Sequence, residues 1–79
     1  MATKAFILIT TTVGKTNEIV RSLRSVAGFQ TIDAVTGPYD IIAVVEAENL
    51  NDVGDLVTKG IHDLEGVERT TTLLAMSTT

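Results

Sequence analysis

Tyr39 and Asp40 are the residues best suited to chemistry in this chain. A phenol and a carboxylate stand side by side at the end of Thr36-Gly37-Pro38-Tyr39-Asp40, a turn in which Pro38 fixes its own φ and Gly37 is free to take a positive one. Asp40 has two competing readings. It is a turn aspartate bonded to nearby amides, or it is half of a small-ligand site, holding an ammonium group while the glycine-turn amides hold a carboxylate. The second arrangement suits a free amino acid. Thr70, Thr71 and Thr72 add hydroxyls on a later strand, where threonine is also an ordinary edge-strand residue.

The other motifs carry less. Gly14-Lys15-Thr16 resembles the end of a phosphate-binding loop, but Ile9 occupies the position where that pattern needs a further glycine. A helix start with Thr16 as the cap accounts for it. His62 has only Asp63 and Glu65 nearby and reads as a solvated helix histidine. Asp52, Asp55, Asp63 and Glu65 match no calcium loop and form an acidic helix surface. With no cysteine and one histidine, no metal site and no cofactor are expected.

Two continuous apolar runs position these residues. Ile41-Ile42-Ala43-Val44-Val45 follows Asp40 directly, and Phe6-Ile7-Leu8-Ile9 lies near the start. Neither has a polar face, so both sides of each strand must be covered. The remaining elements alternate around them. The first strand is expected over residues 4–12, a helix over 16–27 with Ile19, Leu23 and Val26 on its apolar stripe, and a second strand over 29–35. The third strand spans 40–47. The second helix spans 49–65, capped by Asn49 or Asn51, with Val53, Leu56, Val57, Ile61 and Leu64 inward. Gly60 on that stripe is expected to let the helix approach the sheet closely. The fourth strand spans 67–76, and 77–79 is a tail.

The order β-α-β-β-α-β is the split-βαβ, ferredoxin-like pattern of the α+β class, with antiparallel strand order 4-1-3-2. That topology puts the two all-apolar strands in the centre and the two polar-interrupted strands at the edges. Both helices cover one face. The other face of the central strands would still expose apolar side chains, so a second copy is expected to cover it and form a homodimer. A single domain of 79 residues gains little stability from its own core, which points the same way.

Composition narrows the function. A net charge of −4 argues against binding nucleic acid, whose phosphates need Lys and Arg. No apolar run approaches the roughly 20 residues that span a bilayer, and the N-terminus lacks a cleavage site. The expectation is a soluble cytoplasmic protein.

Thr36-Gly37-Pro38-Tyr39-Asp40-Ile41-Ile42-Ala43-Val44-Val45 and Ile61-His62-Asp63-Leu64-Glu65-Gly66-Val67-Glu68-Arg69-Thr70-Thr71-Thr72 resemble the ligand-binding domain of Lrp/AsnC transcription regulators, also called the RAM domain. The resemblance covers Lys4 to Met76 as one domain. It implies a dimeric α/β barrel built through the sheets, a ring-like oligomer of dimers, and amino acids bound between dimers near the turn before the third strand. Carried over by position, Gly37, Tyr39 and Asp40 lie at that site, with Thr70 or Thr72 close to it. Such regulators carry a helix-turn-helix domain before this one. Here the first strand begins at Lys4, so the expectation is a stand-alone, non-catalytic effector module that binds a small amino acid or related metabolite. Two alternatives stay open: a small dimeric-barrel enzyme of the monooxygenase or isomerase kind, and a structural partner of full-length Lrp/AsnC regulators.

Overall fold

Phe6-Ile7-Leu8-Ile9 and Ile41-Ile42-Ala43-Val44-Val45 pair with each other at the centre of the sheet in the computed structural model, which describes residues 2–76. The expected tail, Ser77–Thr79, lies outside the described residues. The elements are β1 (Thr3–Thr11), α1 (Thr16–Arg24), β2 (Phe29–Ala34), β3 (Ile41–Ala47), α2 (Leu50–Leu56) and β4 (Val67–Leu74). The strands form one antiparallel sheet in the order β2-β3-β1-β4, the ferredoxin-like βαββαβ arrangement.

Alternation along β1 and β3 divides the sheet into two faces. Ala5, Ile7, Ile9 and Thr11 from β1 and Ile41, Ala43 and Val45 from β3 are buried, with Ile19, Val20 and Leu23 of α1 and Val53 of α2 in the same core. Phe6 pairs with Val44 and Leu8 with Ile42, so these four share the face away from the helices. They remain only half-buried, and Leu73 of β4, opposite Phe6, is 49% exposed. Lys4 lays its ammonium 5.4 Å from the Phe6 ring centroid at one end of this apolar strip.

Several local details depart from the sequence reading. Thr16 does not cap α1: Lys15 occupies that position without a side-chain cap bond, while the Thr16 hydroxyl bonds Thr11. The helix also stops at Arg24, where Ser25 and Val26 bond back three residues to Ser22 and Leu23 in a tightened turn. Asn49 does cap α2, its side chain accepting from the Asp52 N–H at 2.9 Å. Beyond Leu56 the α-helix gives way to a π turn over Val57–Ile61, closed by the His62 N–H on the Val57 carbonyl at 3.1 Å. Gly60, a weak helix former, lies inside that turn. Its close approach is to Val26, two residues past α1, and to Leu56 rather than to the sheet, since a Cβ there would meet Val26 Cγ1 at 3.4 Å and Leu56 Cδ1 at 3.5 Å.

Gly54 faces open space within α2. Alanine has the higher helix propensity, so Gly54→Ala is expected to stabilise the protein by about 0.5–1 kcal/mol. Thermal unfolding checks this: a higher midpoint is expected, and an unchanged or lower one would mean that something else uses that opening.

Candidate functional site

The turn between β2 and β3 is exposed at its tip and anchored at its base. Gly37 has φ +129°, a backbone conformation that favours glycine, and no atom stands within 4 Å of where its Cβ would be. Thr36, Gly37 and Pro38 are exposed, and Tyr39 and Asp40 are half-buried. At the base, the Asp40 N–H donates to the Ile9 carbonyl and the Val35 N–H donates to the Asp40 carbonyl, both at 2.9 Å.

Asp40 also secures the turn through its side chain. Oδ2 accepts the Thr11 N–H at 2.8 Å and the Thr11 hydroxyl at 3.3 Å. The Thr11 and Thr16 hydroxyls are 2.8 Å apart. An ionised carboxylate can only accept, so the Thr11 hydroxyl donates to Asp40 and the Thr16 hydroxyl donates to Thr11. One chain of donors therefore links α1, the end of β1 and the turn. Of the two readings of Asp40, an amide-bound aspartate is present, but its main amide partner is 29 residues away rather than in the turn itself. Both bonds fall on Oδ2.

Removing this carboxylate strands the Thr11 N–H on a residue that is only 8% exposed. Asp40→Ala is expected to cost about 1–3 kcal/mol, and Asp40→Asn less, because a carboxamide oxygen can still accept. Urea unfolding of both variants measures the difference. Equal stability of Asp40→Ala and the parent would contradict the anchoring role.

Thr70 and Thr72 lie on β4, opposite Ile9 and Ile7, and so face the helix layer. Thr71, opposite Leu8, faces the other way. Ile9 also pairs with Ile41, which puts Thr70 in the same row as the residue after Asp40, two strand spacings or about 10 Å across the sheet. Thr72 is one row further from the turn. Gly37, Tyr39, Asp40 and Thr70 thus share one end of the sheet, but no hydrogen bond joins Thr70 to the turn.

The sequence reading missed a partner there. The His62 Nε2 and Thr70 Oγ1 atoms are 2.9 Å apart, so His62 is exposed yet partnered. The two residues stand equally far on either side of Gly66, whose φ of +102° makes the tight return into β4. A Cβ at Gly66 would come within 3.0 Å of Lys15 Cβ, which fixes this turn against the loop before α1. That symmetry about a glycine turn was the available signal for the pair.

Cavities lie away from the turn. A groove of about 510 Å3 runs between Val26 and α2 with its π turn, floored by Leu56, Gly60 and Leu64 and rimmed by Asp52, Asp55 and Lys59. The space between helices and sheet is filled by Ile7, Ile9, Leu23, Ile41 and Ile61, and Thr11 is the buried polar residue among those described. No group of three or more His, Cys, Asp or Glu side chains among the described residues is arranged to hold a metal ion, and no helix there is long and apolar enough to cross a membrane.

A family model described as the Lrp/AsnC ligand binding domain matches residues 4–79. A crystal structure of TTHA0845 from Thermus thermophilus superposes with a TM-score of 0.91 at 36% identity, covering 98% of this chain and 96% of that one. Over 61 residues the chain is 30% identical to an uncharacterised HTH-type transcriptional regulator, PF0250, from Pyrococcus furiosus, covering 77% of this chain and 41% of that protein. The chain thus spans less than half of that regulator's length. The transcriptional regulator NMB0573 from Neisseria meningitidis, crystallised as a complex with L-Met, shares the fold with a TM-score of 0.84 at 18% identity, covering 95% of this chain and 50% of that one.

Proposed function

This chain belongs to the Lrp/AsnC ligand-binding domain family, and from that premise we propose that residues 4–76 are a single non-catalytic module that binds a small amino acid where copies of the chain meet. The observation that carries this reading is the Gly37–Asp40 turn, open above Gly37 and rigidly tied from below by Asp40. The bonds at its base fix where the turn leaves the sheet before any ligand arrives, which lowers the entropic cost of binding. The ligand carboxylate rests on the Gly37 and Tyr39 amides, Pro38 having no N–H and the Asp40 N–H being held by Ile9. Its ammonium takes the Asp40 oxygen that Thr11 leaves unused, and Tyr39, Thr70 and Thr72 lie along the remaining wall. The L-Met bound by the Neisseria regulator supports an amino acid as the ligand class.

The exposed turn is no pocket in one subunit, so a neighbouring copy completes it. The apolar strip of Phe6, Leu8, Ile42 and Val44 supports a homodimer formed face to face through the sheets, and dimers associate further into a ring with ligand at their junctions. Ligand binding then favours assembly by mass action. The enzyme alternative needs polar side chains in a deep cavity between helices and sheet, and apolar side chains fill that space. Pairing with full-length Lrp/AsnC regulators through the same surfaces remains compatible with this module, and co-purification with such a regulator tests it.

Calorimetric titration with the twenty amino acids tests the proposal. At least one is expected to bind and, at a hundred times its dissociation constant, to stabilise the fold by about 2.7 kcal/mol. Absence of heat and of thermal shift with all twenty contradicts it.

A further inference from the structure

His62 is the one histidine in the chain, and the fold holds it in an unusual way. A π turn precedes it and closes with the His62 N–H on the Val57 carbonyl. An extra residue in a helical turn rotates the side chains that follow by about 100° relative to an uninterrupted α-helix. The π turn contains Gly60, a weak helix former, and such turns are rare and frequently stand at functional sites. The product of this local departure is a ring nitrogen 2.9 Å from the Thr70 hydroxyl, on the strand row that ends at the Gly37–Asp40 turn. His62 is exposed and Thr70 half-buried, and neither belongs to the hydrophobic core, so core packing does not account for the contact.

We propose that His62 reads the side chain of the bound amino acid and selects one that ends in an acceptor oxygen, a carboxylate or a carboxamide. This rests on the amino-acid reading of the turn given above and adds the chemical class of the ligand. Thr70 engages one ring nitrogen and fixes the plane of the imidazole. In the tautomer in which Nε2 accepts from the Thr70 hydroxyl, the other ring nitrogen carries the proton. That N–H donates to the ligand's terminal oxygen. Thr70 lies about 10 Å along the row from Ile41, the residue after Asp40, a gap that the amino and carboxyl groups of one ligand do not span and that an extended polar ligand side chain directed along the row shortens toward His62. Lys59, Asp63 and Glu65 on the same segment and Glu68 on β4 are the charged groups of the elements that meet at His62, while Arg69 pairs with Thr10, two residues along from Leu8 on the sheet's other face.

The test compares glutamate, glutamine and methionine, which have similar length but different termini, by calorimetric titration of the intact protein and of His62→Phe and His62→Gln. The parent is expected to prefer glutamate or glutamine to methionine by about tenfold, the worth of roughly one added hydrogen bond. Which of the two binds tighter distinguishes a carboxylate from a carboxamide terminus. His62→Phe is expected to lose the preference while still binding methionine, and His62→Gln, which keeps a donor, to retain part of it. Equal affinities in the parent, or an unchanged preference in His62→Phe, overturn the role of His62 and leave the amino-acid reading standing. No binding by any of the three or by any other amino acid overturns both.

Discussion

Leu8→Glu is expected to reduce the protein to a folded monomer. Leu8 stands in the middle of the face that the helices leave open, paired with Ile42 on one side and Thr71 on the other, with Phe6 and Val44 adjoining. In a lone subunit a carboxylate there reaches water, so the sheet and the core behind it keep their packing. Between two sheets it is cut off from water, with Lys4 and Arg69 only at the two ends of the strip, and two-fold symmetry buries it twice. Desolvating an unpaired carboxylate costs several kcal/mol even after relaxation. At about 1.4 kcal/mol per tenfold, association weakens by at least about 100-fold. Sedimentation velocity at micromolar concentration reads this directly, with circular dichroism to show that the fold survives. Val13→Glu, on a loop residue that is 99% exposed, is the control and is expected to leave the mass unchanged. A Leu8→Glu protein with the parent's mass would show that this face is not where copies meet.

Ile9→Ala is expected to have the largest effect on the subunit itself. Ile9 is fully buried, lies between Ile41 and Thr70 in the central row, and offers its carbonyl to the Asp40 N–H. The backbone bond survives the substitution, but the side chain leaves a cavity in the core beside Ile41. Truncations of this kind cost about 2–5 kcal/mol. A domain of this length has roughly 4–12 kcal/mol in total, so the variant sits near the edge of unfolding at room temperature. Urea unfolding is expected to show a much lower midpoint with an unchanged slope. A loss below about 1 kcal/mol would mean that the core collapses around the gap and that the row is less rigid than its packing implies.

The topology was legible because the central runs Phe6–Ile9 and Ile41–Val45 have no polar positions, while β2 carries Gln30, Thr31 and Asp33 and β4 carries a run of threonines. A strand without a wet side belongs in the middle, and a strand with one can sit at an edge. Alternation also divided Phe6 and Leu8 from Ile7 and Ile9. It could not say which pair lies under the helices, since both pairs are equally apolar and the choice is made by the side on which the helices cross. The turn before β3 was legible from Gly37 and Pro38, but the bond from Thr11 to Asp40 was not, because it depends on how β1 and β3 register. Thr16 showed the limit of capping rules: a hydroxyl at a helix start bonds whatever is nearest, and here that is Thr11. The end of α2 was the least legible part. A continuous apolar stripe predicts a continuous helix, and nothing in the periodicity marks the π turn that brings His62 to Thr70.

We propose two linked properties: the open sheet face is shared between copies, and a neighbour completes the ligand turn. Light scattering across a micromolar dilution series, with and without each amino acid that binds, measures both at once. The expected result is a mass of two subunits or a multiple of two that persists on dilution and shifts toward larger assemblies with ligand. A mass of one subunit throughout, unmoved by any amino acid, would contradict it.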